Sequence, residues 1–179
     1  MSPPRILLAH GASGSAASMR PHLDGLRALG LEADAVALPK GKAERAVPAF
    51  RSAAPPGGSP IIGGHSYGGR VASLLAAEDS GYAGLVLLSY PLHPPGRTER
   101  WPQRTDHWPR IGCPVLLLSG DRDPFARIEL MHEAVRQLPH HELVVYPGLR
   151  HGIGPRLEHA LDRIAAFARS LAEPVHSGE

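Results

Sequence analysis

The sequence has a single cysteine and only two lysines in 179 residues, and each shortage excludes something. Cys113 alone cannot form an intramolecular disulfide or supply a cysteine-rich zinc site, and it suits a reducing compartment. Basic character comes from arginine rather than from Lys40 and Lys42, and the formal net charge is only +2. No stretch gathers five or six basic residues, so no nucleic-acid partner is expected. No apolar run approaches the ~20 residues of a membrane span, and the first residues lack the charged and apolar regions of a secretory signal. The expectation is a soluble, cytoplasmic protein that does not engage a membrane. Ligand motifs are missing too. No G-x-G-x-x-G follows the first apolar run, Lys40-Gly41-Lys42 lacks the glycine spacing and Ser/Thr of a phosphate loop, and no H-E-x-x-H occurs. His140 and His141 are adjacent at a strand start and would point to opposite faces, which is poor metal geometry. Neither a metal nor a cofactor is therefore expected.

What is present is a chain 42% hydrophobic and 20% charged, long enough for one domain over residues 1–179. A core of that size removes roughly 70% of the unfolded surface from water. Twenty glycines and nineteen prolines are spread as punctuation between apolar runs rather than pooled. Arg5–His10, Ala33–Leu38, Pro60–His65, Gly84–Tyr90, Cys113–Gly120 and His141–Pro147 are rich in Ile, Leu and Val and predict six strands, mostly apolar on both faces. Helical spacing separates them, as in Ala43, Ala46, Val47 and Phe50; Val71, Leu74 and Leu75; Ile128, Met131, Val135 and Leu138; and Leu157, Leu161, Ile164, Ala168 and Leu171. Alternating strand and helix predict an α/β fold: a three-layer α/β/α sandwich with a parallel sheet and ligand-binding loops at the carboxyl ends of the strands. One connection departs from this pattern. Pro91–Arg110 holds five prolines and no helical period, and reads as an irregular loop insertion carrying Trp101 and Trp108, the only tryptophans.

The strongest local signal is Gly64-His65-Ser66-Tyr67-Gly68-Gly69, a G-x-S-x-G placed directly after one strand and before a helix. A serine on that sharp turn is raised above the sheet edge, and the glycines two before and two after it let the flanking backbones approach. The same turn could simply cap the helix. As a nucleophile, Ser66 needs a histidine to take its proton and a carboxylate to orient that histidine, in the chain order Ser, acid, His. Asp123 follows the fifth strand and His151 follows the sixth, so the order is met. Asp123 is preferred to Asp121 because it stands before Pro124 at the mouth of the next helix, a position that also suits an N-cap. The Tyr67 amide and that of Ala12, in His10-Gly11-Ala12-Ser13-Gly14, are the candidate oxyanion donors. His10 and His65 end neighbouring strands and could line the site floor or serve as hydrogen-bonded structural histidines.

With these residues in place, the chain resembles the α/β-hydrolase superfamily from Ile6 to about Leu171. His10–Ala12, Gly64–Arg70, Ser89–Gly96 and Ser119–Phe125 are similar to a subfamily of small hydrolases that includes a testis-expressed hydrolase-like protein and a scaffold subunit of a histone acetyltransferase complex. The resemblance implies the α/β-hydrolase fold with about six parallel strands, a Ser66–Asp123–His151 triad and no cap domain, the Pro91–Arg110 connection standing where larger members carry a cap. On that connection, Trp101 and Trp108 are expected either to form a shallow pocket wall, with its arginines favouring a substrate carrying negative charge, or to pack onto the sheet edge with those charges solvated. The function expected is a serine hydrolase acting on a small carboxylic ester or related acyl substrate. The alternative, suggested by the scaffold relative, is a non-catalytic protein-interaction module that keeps the fold. The oligomeric state is left open.

Overall fold

The computed structural model describes residues 2–172; of the domain expected over 1–179, Met1 and residues 173–179 lie outside the described residues. The apolar runs form six parallel strands: β1 (Ile6–Ala9), β2 (Ala33–Val36), β3 (Ile61–His65), β4 (Gly84–Leu88), β5 (Val115–Gly120) and β6 (His141–Tyr146). They lie side by side in the order β2-β1-β3-β4-β5-β6. Their composition follows from position, because the inner strands are covered on both faces while β2 and β6 at the edges are partly exposed and carry polar residues. The helices are α1 (Arg20–Ala28), α2 (Ala43–Ala53), α3 (Tyr67–Glu78), α4 (Pro102–Thr105), α5 (Ile128–Ala134) and α6 (Leu157–Ser170). One face of the sheet packs against α1 and α6 through Leu23, Leu26, Leu161 and Ile164. The other packs against α2, α3 and α5 through Val47, Phe50, Leu75 and Met131. Three layers result, with no cap among the described residues.

After β1 the chain leaves for β2 on one side, and after β2 it returns to β3 on the other, so the loops following β1 and β3 diverge at a topological switch point. Ligand sites of open α/β sheets form there. Two local features depart from the sequence reading. Helix α1 shows no apolar period in the sequence; it starts at Arg20, carries Pro21 in its first turn and buries only Leu23 and Leu26 against the sheet. The Pro91–Arg110 connection is not irregular. It winds into 3-10 turns at Thr98–Arg100 and Trp108–Arg110 with α4 between, because Pro102 and Pro109 sit at first-turn positions where a missing N–H costs nothing.

That connection is fastened at several points. The Arg104 carbonyl accepts the Tyr90 hydroxyl at 2.6 Å and Arg70 Nη1 at 3.2 Å, and Gln137 Nε2 donates to Thr105 Oγ1 at 3.1 Å. At its start, His93 N–H donates to the Phe125 carbonyl at 2.9 Å, and Arg127 N–H donates to His93 Nε2 at 3.0 Å. Trp108 is wholly buried, its ring edge-on to Tyr90 at 5.1 Å. It is a core residue and corrects the expectation of a pocket wall.

Candidate active site

Ser66 sits between β3 and α3 with φ 49° and ψ −112°, a backbone region that L-residues rarely adopt. The turn is held because Ser66 N–H donates to the Leu88 carbonyl at 2.8 Å and Arg70 N–H to the Ser66 carbonyl at 3.0 Å. Glycine is required on either side. A Cβ on Gly64 would stand 2.4 Å from the Ala9 carbonyl oxygen, and one on Gly68 would stand 2.5 Å from the same atom. With those methyl groups absent, α3 descends onto β1 and β3 and lifts the Ser66 side chain clear at the sheet's carboxyl edge.

Three loops far apart in sequence meet at this serine. His151 Nε2 lies 2.9 Å from Ser66 Oγ, and His151 Nδ1 lies 2.8 Å from Asp123 Oδ2. A carboxylate only accepts, so Nδ1 carries the shared hydrogen and Nε2 faces the serine hydroxyl as an acceptor. The Asp123 side chain is fully buried, and its second oxygen, Oδ1, accepts Phe125 N–H at 2.8 Å. Asp123 thus shapes its own turn, but it does not cap the next helix, which begins only at Ile128 with Arg127 as its N-cap. Asp121 Oδ1 instead accepts Gly148 N–H at 2.7 Å and ties the fifth-strand loop to the sixth. The imidazole of His151 is partly open to solvent and is flanked by the Phe125 ring at 4.6 Å and the His65 ring at 5.3 Å.

Support from behind comes from Ser89, which sequence reasoning did not identify. It directly follows β4, also at a positive φ of 49°, and its Oγ accepts the N–H of Gly152, next to His151, at 3.1 Å. His65 is pushed down to about 4, first by burial and then by the facing His151. It is therefore neutral near pH 7 and adds no charge against a protonated His151. His10, a candidate for the site floor, is buried and committed elsewhere: its Nε2 accepts Leu38 N–H at 3.0 Å and its Nδ1 lies 2.8 Å from the Gly11 carbonyl. Ala12 and Tyr67 both border the cavity, and among the described residues neither amide N–H has a hydrogen-bond partner. The Tyr67 amide opens the twelve-residue α3, where free N–H groups and the helix dipole favour negative charge.

A cavity of about 920 Å³ opens beside Ser66. Arg100 and Arg104 of the Pro91–Arg110 connection line it, whereas Trp101 is half-buried against the core and, like Trp108, His10 and His65, is not on its wall. Opposite lie Lys42, Glu44 and Arg45 at the start of α2, and Arg70 joins the two sides. Arg70 is another residue the sequence reading missed, although its place four residues after Ser66 sets it one helical turn from the serine.

A second serine, histidine and aspartate also approach one another. His107 Nε2 lies 2.8 Å from Ser73 Oγ, and His107 Nδ1 is 3.5 Å from Asp106 Oδ1. Ser73 is completely buried and its hydroxyl donates to the Arg70 carbonyl at 2.8 Å, so no substrate reaches it and its proton is already engaged. His107 is likewise buried and pushed down to about 4, chiefly by burial. This group fastens the Pro91–Arg110 connection to α3.

Among the described residues no three His, Cys, Asp or Glu side chains gather as a metal site, and no helix is long and apolar enough to cross a membrane. Residues 41–174 match the model of a family described as an alpha/beta hydrolase domain. The comparison with curated proteins finds no match. Solved structures of similar fold include a monoacylglycerol lipase of Paleococcus ferrophilus, 17% identical, with 96% of this chain aligned to 97% of that one at a TM-score of 0.81. The esterase Est1E of Butyrivibrio proteoclasticus with ferulic acid bound is 19% identical over 94% of this chain and 89% of that one, at a TM-score of 0.75. A thermophilic esterase of Thermogutta terrifontis is 19% identical over 95% and 91%, at 0.73.

Proposed function

Because the chain belongs to the alpha/beta hydrolase domain family, we propose that it is a serine hydrolase cleaving a small carboxylic ester or related acyl substrate through an acyl–Ser66 intermediate. The observation that carries this reading is the unbroken line Ser66 Oγ–His151 Nε2/Nδ1–Asp123 Oδ2 at 2.9 and 2.8 Å, with the serine on the wall of an open cavity. His151 takes the hydroxyl proton as Ser66 Oγ attacks the acyl carbon, and it returns that proton to the leaving alcohol. Asp123 holds the ring in the tautomer that frees Nε2 and stabilises the imidazolium. The Tyr67 and Ala12 amides receive the oxyanion, and the helix dipole at Tyr67 adds to them. Water then enters the open cavity and attacks the acyl carbon as His151 takes its proton, and the Ser66 Oγ–acyl bond breaks with that proton returned to Oγ, releasing the acid.

Lipase and esterase chemistry among proteins of the same fold supports an ester over an amide. The narrower likeness to the small-hydrolase subfamily rests on His10–Ala12, Gly64–Arg70, Ser89–Gly96 and Ser119–Phe125. It keeps the interaction-module alternative as the outcome of one experiment. A fluorophosphonate probe labels Ser66, and Ser66→Ala loses both labelling and at least ~10³-fold in kcat on a short-chain ester while its circular dichroism stays native. Turnover retained by a folded Ser66→Ala protein overturns the assignment. An unlabelled, folded wild type with a stable protein partner moves the reading to the alternative.

A further inference from the structure

The cavity beside Ser66 gathers Lys42, Arg45, Arg70, Arg100 and Arg104 against one carboxylate, Glu44, which is more net positive charge than the entire chain carries. Among the described residues, Lys42, Arg45, Arg100 and Arg104 have no ion-pair partner. Arg70 is held in place. Its Nη2 donates to Glu44 Oε1 at 2.7 Å, its Nη1 donates to the Arg104 carbonyl at 3.2 Å, and only 12% of its side chain is exposed. Because the same carbonyl accepts the Tyr90 hydroxyl, the backbone that carries the Arg104 side chain is fixed as well. Arg104 is half-buried beside Arg70, and burial, then the Arg70 charge, lower its pKa below the ordinary guanidinium value. Like charges held together and partly desolvated favour a bound anion that neutralises them, and planar guanidinium groups match the oxygens of a carboxylate or phosphate.

Position relative to the reacting atoms gives this charge its use. Arg70 stands one turn along α3 from Ser66, on the cavity side, while Phe125, against the His151 ring, and the neighbouring Pro91 and Pro94 supply apolar wall. The site therefore has a reacting centre, an apolar stretch and a cationic wall in one open volume. Resting on the serine-hydrolase reading, we propose that the substrate is an ester bearing an anionic group, a carboxylate or a phosphate, seated against Arg70, Arg100 and Arg104. Neutral esters of equal length fit the apolar stretch but leave the cationic wall to water.

The test compares matched pairs. Mono-4-nitrophenyl glutarate is set against 4-nitrophenyl valerate, and the butyryl ester of glycerol 3-phosphate against butyrylglycerol. The expected result is a kcat/KM at least tenfold higher for the anionic member of one pair at low salt; which pair shows it tells a carboxylate read on the acyl side from a phosphate read on the alcohol side. That preference shrinks in 0.5 M NaCl as the charges are screened. It falls at least fivefold in Arg104→Gln and in the exposed Arg100→Gln, and persists in Arg104→Lys. Neutral esters turned over as well as both anionic partners overturn the proposal and leave the serine-hydrolase reading standing. Failure to cleave any ester, with Ser66 unlabelled, overturns that reading and the anion assignment with it.

Discussion

The single change Gly120→Ala tests whether the geometry around His151 governs catalysis. Gly120 ends β5, and an added Cβ would lie 2.1 Å from the Leu149 carbonyl oxygen, 2.6 Å from its carbon and 2.9 Å from the Arg150 oxygen. Real Cβ atoms essentially never come nearer than 3.0 Å, and the obstacle is backbone, so the 149–150 segment must retreat by about 1 Å. His151 is the next residue. A shift of that size stretches its 2.9 Å contact to Ser66 and its 2.8 Å contact to Asp123 towards or past the limit of a hydrogen bond. Misplacing a reacting group by about 1 Å costs on the order of 10²-fold in rate. The Arg122 N–H bond to the Leu149 carbonyl, at 3.0 Å, is disturbed by the same movement, and overpacking of this kind costs about 1–3 kcal/mol. The assay is kcat on a short ester together with the rate of fluorophosphonate labelling, with urea melts to measure stability. Gly112→Ala serves as the control, because a Cβ there meets nothing within 4 Å. A folded Gly120→Ala protein with kcat within threefold of wild type refutes the argument.

Ser89→Ala and Ser89→Gly both remove the bond to Gly152 N–H, but only glycine relieves the positive φ. Each is expected to lower kcat about tenfold, with Ser89→Gly the more stable by about 1 kcal/mol in urea melts; unchanged kcat in both removes Ser89 from the positioning of His151. Acid unfolding should report His107, whose pKa is about 4 in the fold against 6.5 unfolded. The unfolded chain takes up the proton first, so this stability is present above pH 6.5 and is lost as pH falls to 4, a loss of about 3 kcal/mol, with His65 adding a similar amount. His107→Asn should be less stable at pH 7.5 but lose less between pH 6.5 and 4.5; equal losses in variant and wild type discard the assignment. Trp108→Ala should cost about 3–5 kcal/mol in chemical denaturation while leaving the ratio of kcat/KM between ester substrates unchanged.

The strands are legible in the sequence because a doubly covered parallel sheet demands unbroken apolar runs such as Leu85–Leu88 and Val115–Leu118, which no exposed segment imitates. Helix α1 is not, because Pro21 and Gly25 interrupt it and Leu23 and Leu26 are too few to show a period. Ser66, Asp123 and His151 can be picked out because each stands just beyond a strand, and strand ends in such a sheet converge. The cavity wall could not be read the same way. Hydrophobicity marks Trp108 as apolar but does not distinguish a core ring from a pocket ring, whereas Arg70 meets Glu44 across 26 residues of chain, a contact that only the packing of α2 on α3 creates.

The bonds that fasten the Pro91–Arg110 connection through Tyr90, Arg70, Gln137 and Arg127 also bear on time courses. A wall anchored before any ligand arrives offers nothing to swing shut, so a competitive inhibitor should reach full occupancy in one kinetic phase whose observed rate rises linearly with inhibitor concentration. Selection among ligands then falls on how long each one stays rather than on a slow rearrangement after it lands.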